Sequence, residues 1–333
     1  MKRHYYTLST NGAGPSVPLE EVAPADAMSL AKRDHQKGIP ALAKEPASLR
    51  RIEEVVHQIP TWHKLFLGDA RHIKQISDQS VHLVVTSPPY WTLKEYPSRS
   101  GQLGRTKDYE NFLTALDHVW QHALRVLVPG GRLITVVGDV CLPRRRYGRH
   151  VVVPLHASIQ EHCRSIGFDN LAPIIWYKIA NAKFEVENGS GGFLGKPYEP
   201  NAIIKNDIEY ILFQRKPGGY RRPSLGARVL SVLPEDCHQE WFQQVWHLGG
   251  ASTRFHPAPY PLALAERLVR MFSFVGDTVL DPFMGTGTTS LAAMRWGRHS
   301  IGFDIEPAYV EIARRRLEQA RQELAQGSLF EGI

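Results

Sequence analysis

Cysteine is scarce in this chain of 333 residues: there are three, Cys141, Cys163 and Cys237. They are odd in number and widely spaced. That excludes a disulfide framework and a cysteine-built metal centre, and leaves free thiols of the kind expected in a reducing cytoplasm. No metal is expected. Long apolar runs are missing as well: none approaches the roughly 20 residues of a membrane span, and the N-terminal stretch lacks a signal-peptide core. Internal repeats and low-complexity tracts are absent. With 43% hydrophobic residues the chain has enough apolar material for one large core, alone or with a small appendage. Acidic residues are in deficit. Lys and Arg number 40 against 33 Asp and Glu, a formal net charge of +7, which suits a polyanionic partner without identifying one.

Against these absences stands Thr86-Ser87-Pro88-Pro89-Tyr90-Trp91. The apolar run Val81-His82-Leu83-Val84-Val85 leads into it, and its β-branched content reads as a buried strand ending in a rigid aromatic loop. Two consecutive prolines fix the backbone and remove two N–H donors, so their carbonyls are free to accept. Tyr90 and Trp91 add flat surfaces at the same place. A strand tip with acceptors, few donors and aromatic faces suits a planar group that presents an amino nitrogen, such as a nucleobase. An ordinary proline turn is the alternative reading of the run taken alone.

The second feature is Asp281-Pro282-Phe283-Met284-Gly285-Thr286-Gly287-Thr288-Thr289, between the apolar Thr278-Val279-Leu280 and the Ala-rich Ser290–Met294. It reads as strand, glycine turn and helix, the arrangement that lets backbone approach a ligand at a helix N-terminus. Ser300-Ile301-Gly302-Phe303-Asp304 then reads as the next strand ending in an acid. Gly287 to Asp304 is 17 residues, near the spacing of about 20 expected of a carboxylate that holds ribose hydroxyls. A solvated strand-end acid is the alternative. A dinucleotide fingerprint would need a third glycine or alanine, where Thr289 and Ser290 stand. A P-loop would need a following Gly-Lys-Ser/Thr, which is missing. The ligand is better read as an adenosyl compound without a pyrophosphate.

Together the two stretches resemble the S-adenosylmethionine-dependent amino-methyltransferases of DNA. Thr-Ser-Pro-Pro-Tyr looks like that family's catalytic motif, and Asp-Pro-Phe-Met-Gly-Thr-Gly-Thr-Thr like its cofactor motif. His256-Pro257-Ala258-Pro259-Tyr260-Pro261, through Phe274-Val275-Gly276-Asp277, resembles the segment preceding the latter. The resemblance covers most of residues 62–322. The order, catalytic motif first, is similar to the circularly permuted β class. It implies a Rossmann-like, doubly wound α/β sheet with an antiparallel last strand and a small target-recognition region. The permutation is consistent with the chain: after Asp304 one helical stretch remains, Tyr309 to about Leu324, and Leu65-Phe66-Leu67-Gly68-Asp69 is left to supply the next strand of the cofactor half-sheet. The resemblance implies that Asp69 contacts the adenine amino group; a turn or helix-capping acid is the alternative.

The resemblance implies the chemistry. An exocyclic amino nitrogen is a weak nucleophile because its lone pair is delocalised into the ring. The Ser87 hydroxyl and the Pro88 carbonyl, gripping its two hydrogens, would favour a pyramidal nitrogen aimed at the methyl group. With Pro89 shaping the loop, Tyr90 would stack on the base, and Trp91 would support it or face DNA. Asp281, Pro282 and Phe283, the backbone at Gly285 and Gly287, and the hydroxyls of Thr288 and Thr289 would hold the cofactor with Asp304. Phe283 is either a face for the sulfonium or a core residue. Carbon-5 methylation of cytosine needs a nucleophilic cysteine, typically in a Pro-Cys pair, and the sequence has none. In the family, Asp usually precedes the two prolines in adenine enzymes and Ser is frequent in cytosine-N4 enzymes, so Ser87 favours cytosine N4 over adenine N6. An RNA or small-molecule methyltransferase and a catalytically idle binding module are the competing readings.

A base inside a duplex is out of reach, so double-stranded DNA is expected to yield a flipped nucleotide. Lys94 to Lys107, with Arg99 and Arg105, and the run Arg144, Arg145, Arg146, Arg149 are candidate phosphate contacts; a solvated surface is the alternative. Residues 1–60 read as a polar extension with one helix, about Pro46 to Gln58. Residues 61–180 read as the catalytic half: a helix Asn111–Val126, a strand Arg132–Val137, a helix Val152–Ile166 and a strand Ile174–Lys178. Residues 181–246 hold the last strand, Asp207–Arg215, and the target-recognition candidate with Arg221 and Arg222. Residues 247–322 form the cofactor half, and 323–333 a tail. A cognate restriction endonuclease is a candidate partner.

Overall fold

The computed structural model describes residues 5–9, 17–34, 36–92, 94, 96–142, 144–178, 206–252 and 258–326. In chain order the strands are β1 Tyr5–Ser9, β2 Trp62–Leu67, β3 Val81–Thr86, β4 Leu127–Val137, β5 Val140–Leu142, β6 Val151–Val153, β7 Asp169–Tyr177, β8 Ile208–Arg215, β9 Val245–His247, β10 Thr278–Asp281 and β11 His299–Asp304. The helices are α1 Leu19–Val22, α2 Ala25–Arg33, α3 Gly38–Leu42, α4 Pro46–Gln58, α5 Tyr109–Val126, α6 Arg144–Tyr147, α7 Leu155–Ile166, α8 Leu225–Leu230, α9 Glu235–Trp241, α10 Leu262–Phe272, α11 Thr288–Arg295 and α12 Pro307–Ala325.

Side chains alternate across the central strands, which is why the sheet is covered on both faces. Val84, Leu133 and Val137 point to one side, against Phe112, Leu116 and Trp120 of α5 and Ile159 and Cys163 of α7. Leu83, Val85, Ile134 and Val136 point to the other, against Leu264 and Leu268 of α10 and Ala292 and Ala293 of α11. The strand order is β1-β2-β11-β10-β3-β4-β8-β7-β9. From β2 through β11, β10, β3 and β4 every pairing is parallel. β8 runs antiparallel to both β4 and β7, as expected of Asp207–Arg215. β1 is antiparallel to β2 at one edge and β9 parallel to β7 at the other. The sheet is thus the expected doubly wound α/β type. Leu65, Phe66 and Leu67 pair with Gly302, Phe303 and Asp304, so the strand just upstream of the catalytic run does complete the cofactor half-sheet.

Three local expectations are corrected. Val152 and Val153 are strand, not helix: three consecutive valines pair with Val140–Leu142 in a separate two-stranded ribbon, and Pro154 starts α7 behind them. The strand expected from Arg132 begins at Leu127 and runs through Pro129-Gly130-Gly131. Residues 1–60 hold α1 to α3 and β1 besides the expected Pro46–Gln58 helix. Ala27, Met28, Leu42, Ile52 and Val56 form their own core with Val229 and Leu230 of α8. The partners of these short apolar stretches lie about 200 residues away, beyond the reach of local periodicity.

Candidate active site

The C-terminal ends of β3, β10 and β11 lie side by side, and the ends of parallel strands are where such sheets carry their sites. Thr86 closes β3 and donates its hydroxyl to Asp281 Oδ1, at the end of β10, at 2.7 Å. Asp281 is 2% exposed. It accepts three further bonds: from Thr289 Oγ1 at 2.6 Å, Tyr260 Oη at 3.2 Å and the Phe283 backbone at 3.0 Å. Burial pushes its carboxyl upward, and these donors oppose that. Asp281 and Thr289 are therefore spent on each other, tying the catalytic strand to the cofactor turn. Both are buried, and neither is among the residues lining the cleft beside them.

The glycine turn follows. Gly287 has φ +81°, and a Cβ there would meet Ala313 Cβ at 2.8 Å, so only glycine lets α12 pack this closely. Gly287 caps α11, and the Gly285 N–H donates to Asp304 Oδ2 at 2.9 Å. Thr288, expected at the ligand, instead accepts from Arg316 of α12 at 3.3 Å, and the same guanidinium holds Thr286.

Beside this turn opens a small cleft. Asp69, Ser87, Pro89, Pro282, Phe283 and Asp304 line it together with Tyr96, Leu103, Ile305 and Tyr309. The Asp304 carboxylate receives the backbone N–H groups of Gly285 and Glu306. Burial raises it to about 7, with Asp281 and Glu306 adding to the rise against those two donors. Asp69 does what its alternative reading proposed, accepting from the backbone of Arg71 at 2.9 Å. It also pairs with the Arg71 guanidinium and lines the cleft. Burial pushes the Asp69 carboxyl up, but the Arg71 bonds outweigh it and hold it below its ordinary value. Phe283 lines the cleft and also packs edge-on against Trp120. The site thus offers carboxylates for hydroxyl and amino groups and an aromatic face. These residues fit an adenosyl group.

At the catalytic run, Ser87 faces the cleft and Pro88 is buried. Tyr90, expected to stack on the base, is 3% exposed. Its hydroxyl receives a bond from Ser87 Oγ at 3.1 Å and gives one to Glu209 Oε2 at 3.0 Å. Glu209 in turn is paired with Lys178. Trp91 supports the loop and is turned away from solvent, donating to the Thr106 carbonyl at 2.8 Å and packing on Tyr109. Its φ of +43° is unusual for a non-glycine residue and shows how tightly the loop is held.

Glu209, Lys178, Tyr260 and Arg316 were not anticipated. Glu209 carried a signal as the one acid inside the apolar run Ile208–Phe213, where a buried charge demands a partner, and Tyr260 stands in the segment Ala258-Pro259-Tyr260-Pro261 noted for its resemblance. Among the described residues no cluster of His, Cys, Asp and Glu could hold a metal ion.

The basic residues divide. Arg144, Arg145 and Arg149 are exposed between the two strands of the β5–β6 ribbon, which leaves β4 at the same end of the sheet as Ser87. Arg146 belongs to the same short helix. Arg105 is exposed, with a guanidinium N–H 3.5 Å from the Tyr96 carbonyl. Arg99 pairs with Glu306, and the segment that follows it, Gly101 to Leu103, covers the cleft. Arg221 is a correction. It forks onto Asp277, which precedes β10, so it sits at the opposite end of the sheet from the site. Its neighbour Arg222 is exposed on that same segment. Residues 216–232 go with them, since β8 carries the chain away from the site and α8 sinks into the N-terminal helices. Within the expected recognition region 181–246, residues 181–205 lie outside the described residues, as does His256-Pro257.

Residues 81–315 match the N6_N4_Mtase family, described as DNA methylase. The type II methyltransferase M.MjaI of Methanocaldococcus jannaschii is 36% identical over 78% of this chain and 92% of its own length. M.MthZI of Methanothermobacter thermautotrophicus is 31% identical over 78% and 77%. Among solved structures, a candidate DNA modification methylase from Thermus thermophilus, complexed with S-adenosyl-L-methionine, superposes with a TM-score of 0.64 at 53% identity over 77% of this chain and 93% of that one. The cytosine-N4-specific PvuII DNA methyltransferase shares the fold, with a TM-score of 0.55 at 17% identity over 80% and 93%. The chain belongs to the N6_N4_Mtase family of DNA methylases.

Proposed function

We propose that this protein transfers a methyl group from S-adenosyl-L-methionine to the exocyclic N4 of a cytosine flipped out of double-stranded DNA. The observation that carries the reading is Ser87, an uncharged acceptor at the rim of a cleft that also holds Asp69, Phe283 and Asp304. The sulfonium of the bound donor supplies the activated methyl group. Asp304 takes the ribose hydroxyls, Asp69 the adenine amino group, and Pro282 and Phe283 wall the adenosyl moiety. Ser87 Oγ and the Pro88 carbonyl accept the two amino hydrogens and turn the nitrogen lone pair toward the methyl group. Holding both reactants in line supplies much of the rate. The surplus proton leaves after transfer, so no strong base is needed.

The order of motifs, with β2 completing the half-sheet that begins at β10, supports assignment to the circularly permuted β class. It also supports the division into a catalytic half, 61–180, and a cofactor half, 247–322. Arg105 and the β5–β6 ribbon hold phosphates. Target recognition belongs to the rest of residues 181–246, since 216–232 stand at the far end of the sheet from Ser87. Free thiols at Cys141, Cys163 and Cys237 fit a cytoplasmic enzyme, and the resemblance to type II methyltransferases fits one paired with a restriction endonuclease.

The test is methyl transfer from labelled S-adenosylmethionine to unmethylated genomic DNA, followed by digestion and mass spectrometry of the nucleosides. N4-methylcytosine is expected. N6-methyladenine would keep the cofactor site and reverse the base, and no label in DNA would overturn the substrate.

A further inference from the structure

The Tyr90 hydroxyl lies between two groups that only accept: the Glu209 carboxylate at 3.0 Å and the Val136 carbonyl at 3.4 Å. Its single proton must point at one of them. Its oxygen is then left with lone pairs toward Ser87, 3.1 Å away, so the Ser87 proton is committed to Tyr90. The Ser87 oxygen keeps its remaining lone pairs for the cleft. A serine hydroxyl free to rotate would present a donor as readily as an acceptor, and a donor facing an amino group repels it.

Several features show that this chain of bonds is built in. The Glu209 side chain is 12% exposed and ion-paired with Lys178, whose ammonium also sits 4.6 Å over the Trp176 ring. Gly138 leaves the room: a Cβ there would come within 3.2 Å of Glu209 Cγ and 3.5 Å of the Tyr90 ring. The four groups come from three separate parts of the fold: β3's exit loop, the end of β7 and the start of β8. A salt bridge alone would not need Tyr90, and a buried tyrosine alone would need only a carbonyl.

We infer that Glu209 is a positioning residue for methyl transfer: through Tyr90 it fixes the Ser87 hydroxyl as an obligate acceptor, and Lys178 keeps it in place. The inference rests on the acceptor role proposed for Ser87. It also makes the site selective for a base that presents an amino group, since a keto oxygen would meet an oxygen lone pair.

Single-turnover methylation of unmethylated DNA, measured beside cofactor affinity and thermal unfolding, tests it in Ser87→Ala, Tyr90→Phe, Glu209→Gln and the Tyr90→Phe/Glu209→Gln double variant. Phe keeps the ring and removes only the hydroxyl. Tyr90→Phe and Glu209→Gln are each expected to slow the chemical step by roughly 10- to 100-fold, as misaligned reacting groups do, with cofactor affinity within about twofold. Because both cut the same chain, the double variant should be no slower than the slower single one. Wild-type rates in Tyr90→Phe, or multiplicative losses in the double variant, would overturn the inference while a dead Ser87→Ala leaves the Ser87 role standing. An active Ser87→Ala would instead remove the Ser87 role itself, and the inference with it. If Glu209→Gln fails to fold, Tyr90→Phe alone decides.

Discussion

Asp281 and Asp304 close neighbouring parallel strands, yet they are set to opposite tasks. Asp281 pairs across the ladder with Gly302, two residues short of Asp304. At that depth it is enclosed and receives four hydrogen bonds from four different parts of the chain. Asp304, two residues further on, reaches the cleft with two backbone donors and capacity to spare. One carboxylate is a joint and the other lines the cleft, and a step of two residues along a strand separates them. A motif therefore marks where a site is, while depth in the sheet decides which of its residues touch the ligand.

Removing the joint should have the largest effect. Asp281→Asn loses charge-assisted bonds and turns one acceptor into a donor facing other donors. Thermal or denaturant unfolding should show a loss of about 3 kcal/mol, with cofactor affinity falling only as the fold loosens. Asp304→Asn is expected to do the reverse: cofactor affinity drops about 10- to 100-fold in calorimetric titration while stability at neutral pH is kept or improved. If the two variants behave alike, the contrast between them is wrong.

The same contrast has a pH signature. Asp304 is raised to about 7 in the folded protein, against about 3.9 in an unfolded chain. Between those values the folded state binds the extra proton, so its contribution to stability falls as pH rises from about 4 to 7 and is flat above. Affinity for the cofactor's hydroxyls should move oppositely, rising through pH 7 as the carboxylate ionises. Asp304→Asn should abolish both trends, and a wild-type affinity flat from pH 6 to 8 would count against the ribose assignment.

The smallest effects separate the two ends of the sheet. Arg145→Ala should lower the slope of log affinity for DNA against log salt by about 1. Arg221→Ala, at the far end, should leave that slope unchanged and cost stability through the stranded Asp277. An equal change in slope for both would return residues 216–232 to the DNA-binding surface.

Much of this was legible in the sequence because the signals are local. Val81–Val85 before Ser87-Pro88-Pro89, the strand–glycine–helix at Asp281–Thr289 and the spare strand Leu65–Leu67 each carry pattern and punctuation within ten residues. Asp207–Arg215 reads as a strand for the same reason, while its antiparallel pairing is what the family resemblance implies. What escaped is non-local. Arg221 reads as a surface cation until β8 is seen to carry it away from the site. Tyr90 reads as an open aromatic until Glu209, 119 residues later, is found beside its hydroxyl. The N-terminal helices read as polar because part of their core comes from Val229 and Leu230 of α8.

The central claim is that Ser87 acts on the methyl-accepting base and Asp304 on the donor, in one cleft. Ser87→Ala tests it most directly, with the single-turnover rate of DNA methylation and the dissociation constant of S-adenosylmethionine measured on the same preparation. The account predicts a rate loss of about 10²- to 10³-fold, as for removal of one oriented polar contact to the reacting group, with the dissociation constant within about twofold of wild type. Equal losses in rate and affinity, or an unchanged rate, would contradict it.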